Sequence, residues 1–384
     1  MSNKIKIAIL GLGTVGFGVY DIITKSPYLN NVVVTKILDK DLSKQKLVKK
    51  AEVTINYNDI IYDKEIKIVV ETMGAGEFSY HCIKRALEAK KHVITANKEV
   101  IALHLEELSK LKEKKGVSLL YEASVGGGIP IIYPLYEIVK VNEVDEIQGI
   151  LNGTTNFILT KMFQDGLSFS DSLRLAQEKG FAEADPTADL EGLDMVRKIA
   201  ILSSIAYKGA IHIEQIDHFG ITNINDEDLV NIKKTGGVLK LIASSKQQKG
   251  KVNILIEPTI VQPTNLFSTV NEENNLIAIN SSFNGNLKFY GKGAGRYPTA
   301  NAIVNDIIAI IEARRNYTFE NKNKLIVEDS SDVNRYYVRL KPNEFIDLEY
   351  IEKQENNSII TKEISRTTFK QIIEKVEFYA KIVS

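Results

Sequence analysis

Between Glu183 and Lys198 the chain reads EADPTADLEGLDMVRK, which gathers five acids, Glu183, Asp185, Asp189 and Asp194 among them, and Lys198 within sixteen residues. Carboxylates beside a lysine can recognise a charged substrate, orient an ammonium group and support proton transfer. Asp194 and Lys198 are four apart, so a helix would carry them on one face with the acid N-terminal to the base. A surface ion pair worth a few tenths of a kcal/mol has the same spacing, and that reading stays open. Against it stand the density of acids and Gly192, because a glycine inside a helix would cost about 1 kcal/mol relative to alanine. Asp185-Pro186 reads as a helix start, Asp as N-cap and Pro as first helical residue.

A second chemical pattern lies near the chain start. Gly11-Leu12-Gly13-Thr14-Val15-Gly16 is G-x-G-x-x-G between a β-branched run and an apolar-periodic segment. There the first glycine permits a tight turn, the second lets backbone approach a pyrophosphate, and the third lets helix pack on strand. An ordinary strand-to-helix turn is the alternative. Asp39 ends the next strand run, where a carboxylate accepts from ribose hydroxyls and disfavours a 2′-phosphate. Lys40 and Lys44 follow at once and could screen it, so NAD and NADP both remain open.

These residues need a scaffold, and the chain is long enough for two or three domains. Forty-nine basic and forty-nine acidic residues cancel, so no long-range field draws the chain to nucleic acid or anionic lipid. The one cysteine, Cys82, excludes an internal disulfide framework and a multi-cysteine zinc site, and fits a cytoplasmic, reducing setting as a buried helix thiol. The five histidines (His81, His92, His104, His212 and His218) show no paired ligand spacing, which speaks against catalytic zinc. The apolar stretch within MSNKIKIAILGLG is too short for a signal peptide or membrane span and reads as a first strand.

Strand signals at 5–10, 32–38, 66–71, 92–95 and 117–121 alternate with helical patterns at 79–89 and 103–115. That alternation predicts a Rossmann-type, doubly wound parallel sheet of the α/β class over residues 1–130. From about 131 to 290, helices expected at 167–179 and 193–206 interleave with strands at 146–151, 252–261 and 287–290, an α+β substrate domain. A helix from Thr299 is expected to return the chain to the first domain over about 291–314. Residues 315–384 read as a small C-terminal α+β module with strands in YYVRL, FIDLEYIEKQ and SIITKEI and a closing helix over 367–382.

Residues 176–198, AQEKGFAEADPTADLEGLDMVRK, resemble the signature segment of homoserine dehydrogenases. TANKEV (95–100), YEASVGGGIPII (121–132), GILNGTTNFILTKM (149–162) and GKGAGRYPTANAIVND (291–306) are similar to family motifs in the same order. The resemblance covers about residues 1–314, contains no aspartate kinase domain, and implies the monofunctional, NAD- or NADP-dependent enzyme that interconverts L-aspartate 4-semialdehyde and L-homoserine. It implies Lys198 as proton donor to the aldehyde oxygen, Asp194 as its orienting carboxylate and Lys98 as a second lysine where cofactor and substrate meet. An ordinary lysine, with a pKa of about 10.4, is a competent acid at neutral pH but a poor base. Glu183 and Asp189 would meet the substrate ammonium, with Asn152 and Thr154 lining the pocket. Thr72 and Gly293 would join Gly11, Gly13, Thr14, Val15, Gly16 and Asp39 at the cofactor. Glu122, Val125, Gly127 and Ile129 correspond to a sodium site of one carboxylate and three carbonyls, and a homodimer or dimer of dimers is implied through sheet edges of the second domain. Locally, Lys98 also reads as a strand-end residue before a helix, Thr154 to Asn156 as helix caps, and Glu122 to Ile129 as an empty turn.

The pattern departs from the family after residue 340. YYVRL resembles the first strand of an ACT-type regulatory domain, but KPNEFIDLEY lacks the glycine loop and helix that should follow. Weak or absent inhibition by threonine is therefore expected. Two other functions compete: a dehydrogenase for a different amino-acid aldehyde or hydroxy acid, and a non-catalytic dinucleotide sensor.

Overall fold

The switch from apolar to glycine residues after Leu10 sets the first element. Strand β1 (Ile5–Leu10) has its last four residues buried and pairs in parallel with β2 (Val32–Leu38) and β4 (Ile66–Glu71). The computed structural model describes residues 4–74, 76–314 and 316–383. With β3 (Glu52–Thr54), β5 (His92–Thr95) and β6 (Leu119–Leu120) these strands form a parallel sheet in the order β3-β2-β1-β4-β5-β6. The near-continuous burial of IAIL and IVVE is what a sheet covered on both faces requires. Helices α1 (Thr14–Lys25), α2 (Asn58–Ile61), α3 (Glu77–Glu88) and α4 (Lys98–Lys115) connect the strands, and α5 (Ile132–Ile138) follows the last. The expected strand at 117–121 shortens to two residues, because Glu122 begins a 3-10 turn at once. The chain returns to this unit with the helix Arg296–Ile311, which lies against α1 so closely that a Cβ at Gly18 would sit 3.0 Å from the Ala300 methyl.

This first unit comprises residues 1–142, 201–212 and 291–323; the second comprises 143–200, 213–290 and 324–384. The second unit opens with β7 (Val144–Ile150), α6 (Gly153–Thr160), α7 (Phe169–Glu178), α8 (Thr187–Leu190) and α9 (Leu193–Ala206), of which residues 193–200 belong to it. Next come β8 (Asp217–His218), α10 (Asp226–Lys234), β9 (Val238–Gln248), β10 (Lys251–Val261), β11 (Asn274–Ser281) and β12 (Gly285–Lys292). After the returning helix, α11, come β13 (Ile326–Val327), β14 (Val333–Leu340), β15 (Ile351–Glu355), β16 (Ser358–Thr361), β17 (Ile364–Ser365), α12 (Arg366–Ile372) and β18 (Val376–Val383). One sheet runs β12-β11-β7-β9-β10-β18-β14-β16-β15.

The C-terminal segment is thus part of the second unit's sheet. Residues 376–383, expected as the end of a helix, form β18, parallel to β10 (Ile260 beside Ile382) and antiparallel to β14 (Tyr337 beside Ala380). The apolar spacing of VEFYAKIV suits a helix, but its β-branched and aromatic residues also suit a pleated surface, and burial between two strands decides. Phe369, Tyr336, Tyr379 and Val338 form the core beneath. Between β14 and β15 only a 3-10 turn, Leu348–Tyr350, stands where a regulatory domain would place its first helix. Among the described residues no helix is long and apolar enough to cross a membrane.

Candidate active site

In the first unit, the glycine turn sits where β1 and β4 leave the sheet with their helices diverging, the place where open α/β sheets take ligands. Gly11 has φ +91°, and a Cβ on Gly16 would run into the Gly11 carbonyl and come 2.7 Å from Thr72 Oγ1. Gly13 meets nothing within 4 Å, so the space before the α1 N-terminus is open for a phosphate, and the N-terminal amides point at it. Thr72 acts from behind the turn: its hydroxyl donates to the carbonyls of Leu10 (3.0 Å) and Gly11 (2.9 Å). Asp39 is 8% exposed and accepts from the Leu12 amide (2.8 Å) and from Lys44 Nζ (2.7 Å). Burial works against its ionisation, yet Lys44 and the backbone amides outweigh burial and hold the carboxyl below the ordinary range. These residues fit a dinucleotide.

Lys98 is half-buried and opens α4, whose N-cap is Asn97, accepting from Val100 N. A residue that the sequence did not single out, Glu71, ties this turn to its neighbour. Its buried carboxylate accepts from Thr95 Oγ1 (2.6 Å) and Met73 N (2.7 Å), and burial pushes its pKa up. Gly127 has φ +56°, and a Cβ there would lie 2.5 Å from the Gly293 carbonyl, so the two glycine-rich loops touch backbone to backbone. Nearby, Glu122 is buried at the start of the turn that leads to α5. Its carboxylate accepts from the amides of Ile131 (2.6 Å), Ile132 (2.7 Å) and Tyr133 (2.9 Å) and from the Tyr317 hydroxyl (3.2 Å). Four donors occupy the carboxylate, which caps the start of α5.

In the second unit, Lys198, Asp194 and Asp189 of the signature segment are brought together around Asn152. Lys198 and Asp194 lie on one face of α9, 8% and 3% exposed, with Nζ 2.7 Å from Asp194 Oδ2 and 2.6 Å from the Leu151 carbonyl at the end of β7. Asn152 follows that carbonyl and is the N-cap of α6; the expected caps Thr154 and Thr155 lie inside the helix. Its Oδ1 accepts from Thr155 N (2.8 Å), while its Nδ2 donates to Asp189 Oδ1 (2.7 Å) and Asp194 Oδ2 (2.9 Å). An asparagine is needed there because only an amide both accepts from the helix end and donates to two carboxylates. Thr154 Oγ1 donates to the Phe181 carbonyl (2.7 Å), fastening the start of the signature segment. Glu183 is exposed. Gly192 lies between α8 and α9 with φ +85°, and is not a helix-interior residue; a Cβ would also press on Ile256 at 3.2 Å. Asp185 accepts from Thr187 N and Oγ1 (3.1 and 2.6 Å), and α8 starts at Thr187, one residue later than expected, with Pro186 at its N-cap.

Comparison with known proteins agrees with this chemistry. Residues 130–308 match the homoserine dehydrogenase family model, and 11–122 match the model for the NAD-binding domain of homoserine dehydrogenase. The homoserine dehydrogenase of Bacillus subtilis is 38% identical over 321 residues, 82% of this chain and 74% of that protein. The crystal structure of a homoserine dehydrogenase from Thiobacillus denitrificans matches with a TM-score of 0.88 at 28% identity, covering 99% of this chain and 98% of that one. A hyperthermophilic archaeal homoserine dehydrogenase in complex with NADPH matches with a TM-score of 0.70 at 26% identity, covering 82% of this chain and 99% of that one. The chain belongs to the homoserine dehydrogenase family.

Proposed function

We propose that the chain interconverts L-homoserine and L-aspartate 4-semialdehyde with Lys198 as the group that moves the proton at the substrate oxygen. The observation that carries this reading is the buried cluster of Lys198, Asp194 and Asn152, joined at its edge by the half-buried Asp189. Oxidation of an alcohol removes a hydride from carbon and a proton from oxygen, and the dinucleotide, when bound, takes the hydride. Lys198 then handles the proton, and in reduction its ammonium donates to the aldehyde oxygen. Asp194 holds that ammonium in place, and Asn152 holds Asp194, so Asn152 acts by positioning rather than by touching substrate. Glu183 and Asp189 offer carboxylates to the substrate's α-ammonium, Thr154 shapes the pocket wall, and Lys98 is the second lysine at the reacting end.

The cofactor is NAD or NADP, held by Gly11, Gly13, Thr14, Val15, Gly16, Asp39, Thr72 and Gly293. Asp39 favours a free 2′-hydroxyl and Lys44 offsets that preference. A sodium ion at the turn of Glu122, Val125, Gly127 and Ile129 would rely on carbonyl oxygens, given the engagement of the Glu122 carboxylate. A homodimer through the second unit is supported by β12, an edge strand none of whose residues is buried, since proteins seldom leave such an edge unprotected; light scattering tests it. A reducing, cytoplasmic setting suits the buried thiol of Cys82.

Homoserine oxidation assayed with NAD and NADP in parallel tests the reading. Native protein should turn over homoserine faster than serine, threonine or 4-hydroxybutyrate, and Lys198→Ala should lose at least about a hundredfold in kcat with dinucleotide binding kept. Absence of homoserine turnover with either dinucleotide would overturn it.

A further inference from the structure

Tyr317 belongs to the segment that leaves α11 toward the C-terminal strands, and it is buried, at 2% exposed. Its ring stacks on Tyr136 (centroids 4.9 Å apart, planes at 11°) and meets Tyr121 edge-on at 5.2 Å. The Tyr121 and Tyr136 hydroxyls hydrogen-bond to each other at 2.6 Å. Stacking alone would suit phenylalanine. The hydroxyl of Tyr317, however, donates to Glu122 Oε2 at 3.2 Å and lies 3.5 Å from Asp306 Oδ1, while Asp306 Oδ2 accepts from the Glu122 amide at 3.0 Å. One phenol therefore stands between two buried carboxylates, its single proton shared chiefly with Glu122.

The carboxylate it steadies has a defined task. Glu122 gathers the amides of Ile131, Ile132 and Tyr133, which fixes where α5 begins and so sets the path of the turn before it. That turn leaves no slack. Gly128 N donates to the Lys292 carbonyl at 3.1 Å, a Cβ on Gly128 would meet Pro298 at 2.8 Å, and Gly127 has no room for a side chain beside Gly293. A displacement at Glu122 is thus passed by backbone contact to the 291–295 loop. The strap is pinned from a second point: the buried Lys112 ammonium donates to Asn316 Oδ1 at 2.9 Å and to the Tyr317 carbonyl.

We propose that Tyr317 is a positioning residue for the dinucleotide, acting through Glu122 on the paired loops at 126–129 and 291–295. The inference rests on the reading of Gly293 as part of the cofactor site. Because Tyr317→Phe keeps both ring contacts, it isolates the hydroxyl. Direct fluorescence titration with NADPH and NADH, which needs no turnover, should show Tyr317→Phe binding about fivefold more weakly, the scale of one hydrogen bond. Lys112→Met, which loosens the strap but spares the hydroxyl, should stay within about twofold of native. Glu122→Gln, which turns an acceptor into a donor facing amides, should weaken binding at least as much as Tyr317→Phe and carries the test if the other variant does not fold. Native affinity in Tyr317→Phe, or an equal loss in Lys112→Met, overturns the proposal. Failure of homoserine turnover in the native protein would sink the assigned reaction while leaving these titrations readable.

Discussion

Lys198 and Lys240 are both buried lysines of the second unit, 8% and 1% exposed, and their surroundings part company at the partner. Lys198 faces a carboxylate one helical turn away, Asp194 at 2.7 Å, as well as the Leu151 carbonyl. Lys240 on β9 meets neutral oxygens: the Val270 carbonyl at 2.5 Å and the amide oxygens of Asn156 and Asn271 at 3.2 and 3.5 Å. Neutral acceptors satisfy the hydrogen bonds of an ammonium without balancing its charge, and burial pushes the Lys240 pKa down to about 8. Burial is thus common to both lysines. What sets Lys198 apart is a compensating acid, held in turn by Asn152.

The sharpest way to break this contrast is to remove the acid. Asp194→Asn should lower kcat for homoserine oxidation by about thirtyfold or more, with dinucleotide affinity unchanged, since the ammonium loses its orienting charge; native kcat would sever the two residues. Asn152→Ala should cost about tenfold in kcat and also about 1 kcal/mol of stability through the lost cap of α6, so kinetics and thermal melting must both move. For Lys240 the expected signature lies in stability. Its folded pKa of about 8 is below the ordinary value near 10.4, so between those pH values the unfolded chain binds more protons and stability rises with pH. The rise is on the order of 3 kcal/mol in full, and Lys240→Met should flatten it; an unchanged pH profile in that variant would refute the assignment. Smallest is the response to threonine: the single 3-10 turn between β14 and β15 leads us to expect weak inhibition at millimolar concentration, and strong inhibition would contradict it.

The two sites also differ in how far the sequence revealed them. The glycine turn and the Asp194–Lys198 pair were legible because their geometry is local: a tight turn before a helix, and two residues one helical turn apart. Asn152 was visible as part of a motif but not as the bridge to Asp189 and Asp194, which lie 37 and 42 residues away in the chain. The capping role of Glu122 is not legible, because nothing local shows that the amides of residues 131–133 fold back onto it. Lys240 and Tyr317 carried no signal at all; each is an ordinary residue type whose role comes from contacts of long sequence separation. The same reason misled the reading of 376–383, whose apolar spacing fits a helix until β10 and β14 supply partners on either side.

Single-turnover reduction of L-aspartate 4-semialdehyde by NADPH, compared in Lys198→Ala and Lys240→Met, tests the central contrast most directly. The Lys198 variant should transfer hydride at least about a hundredfold more slowly than native, while the Lys240 variant stays within about threefold. A near-native rate in Lys198→Ala would contradict the assignment of the proton to that ammonium.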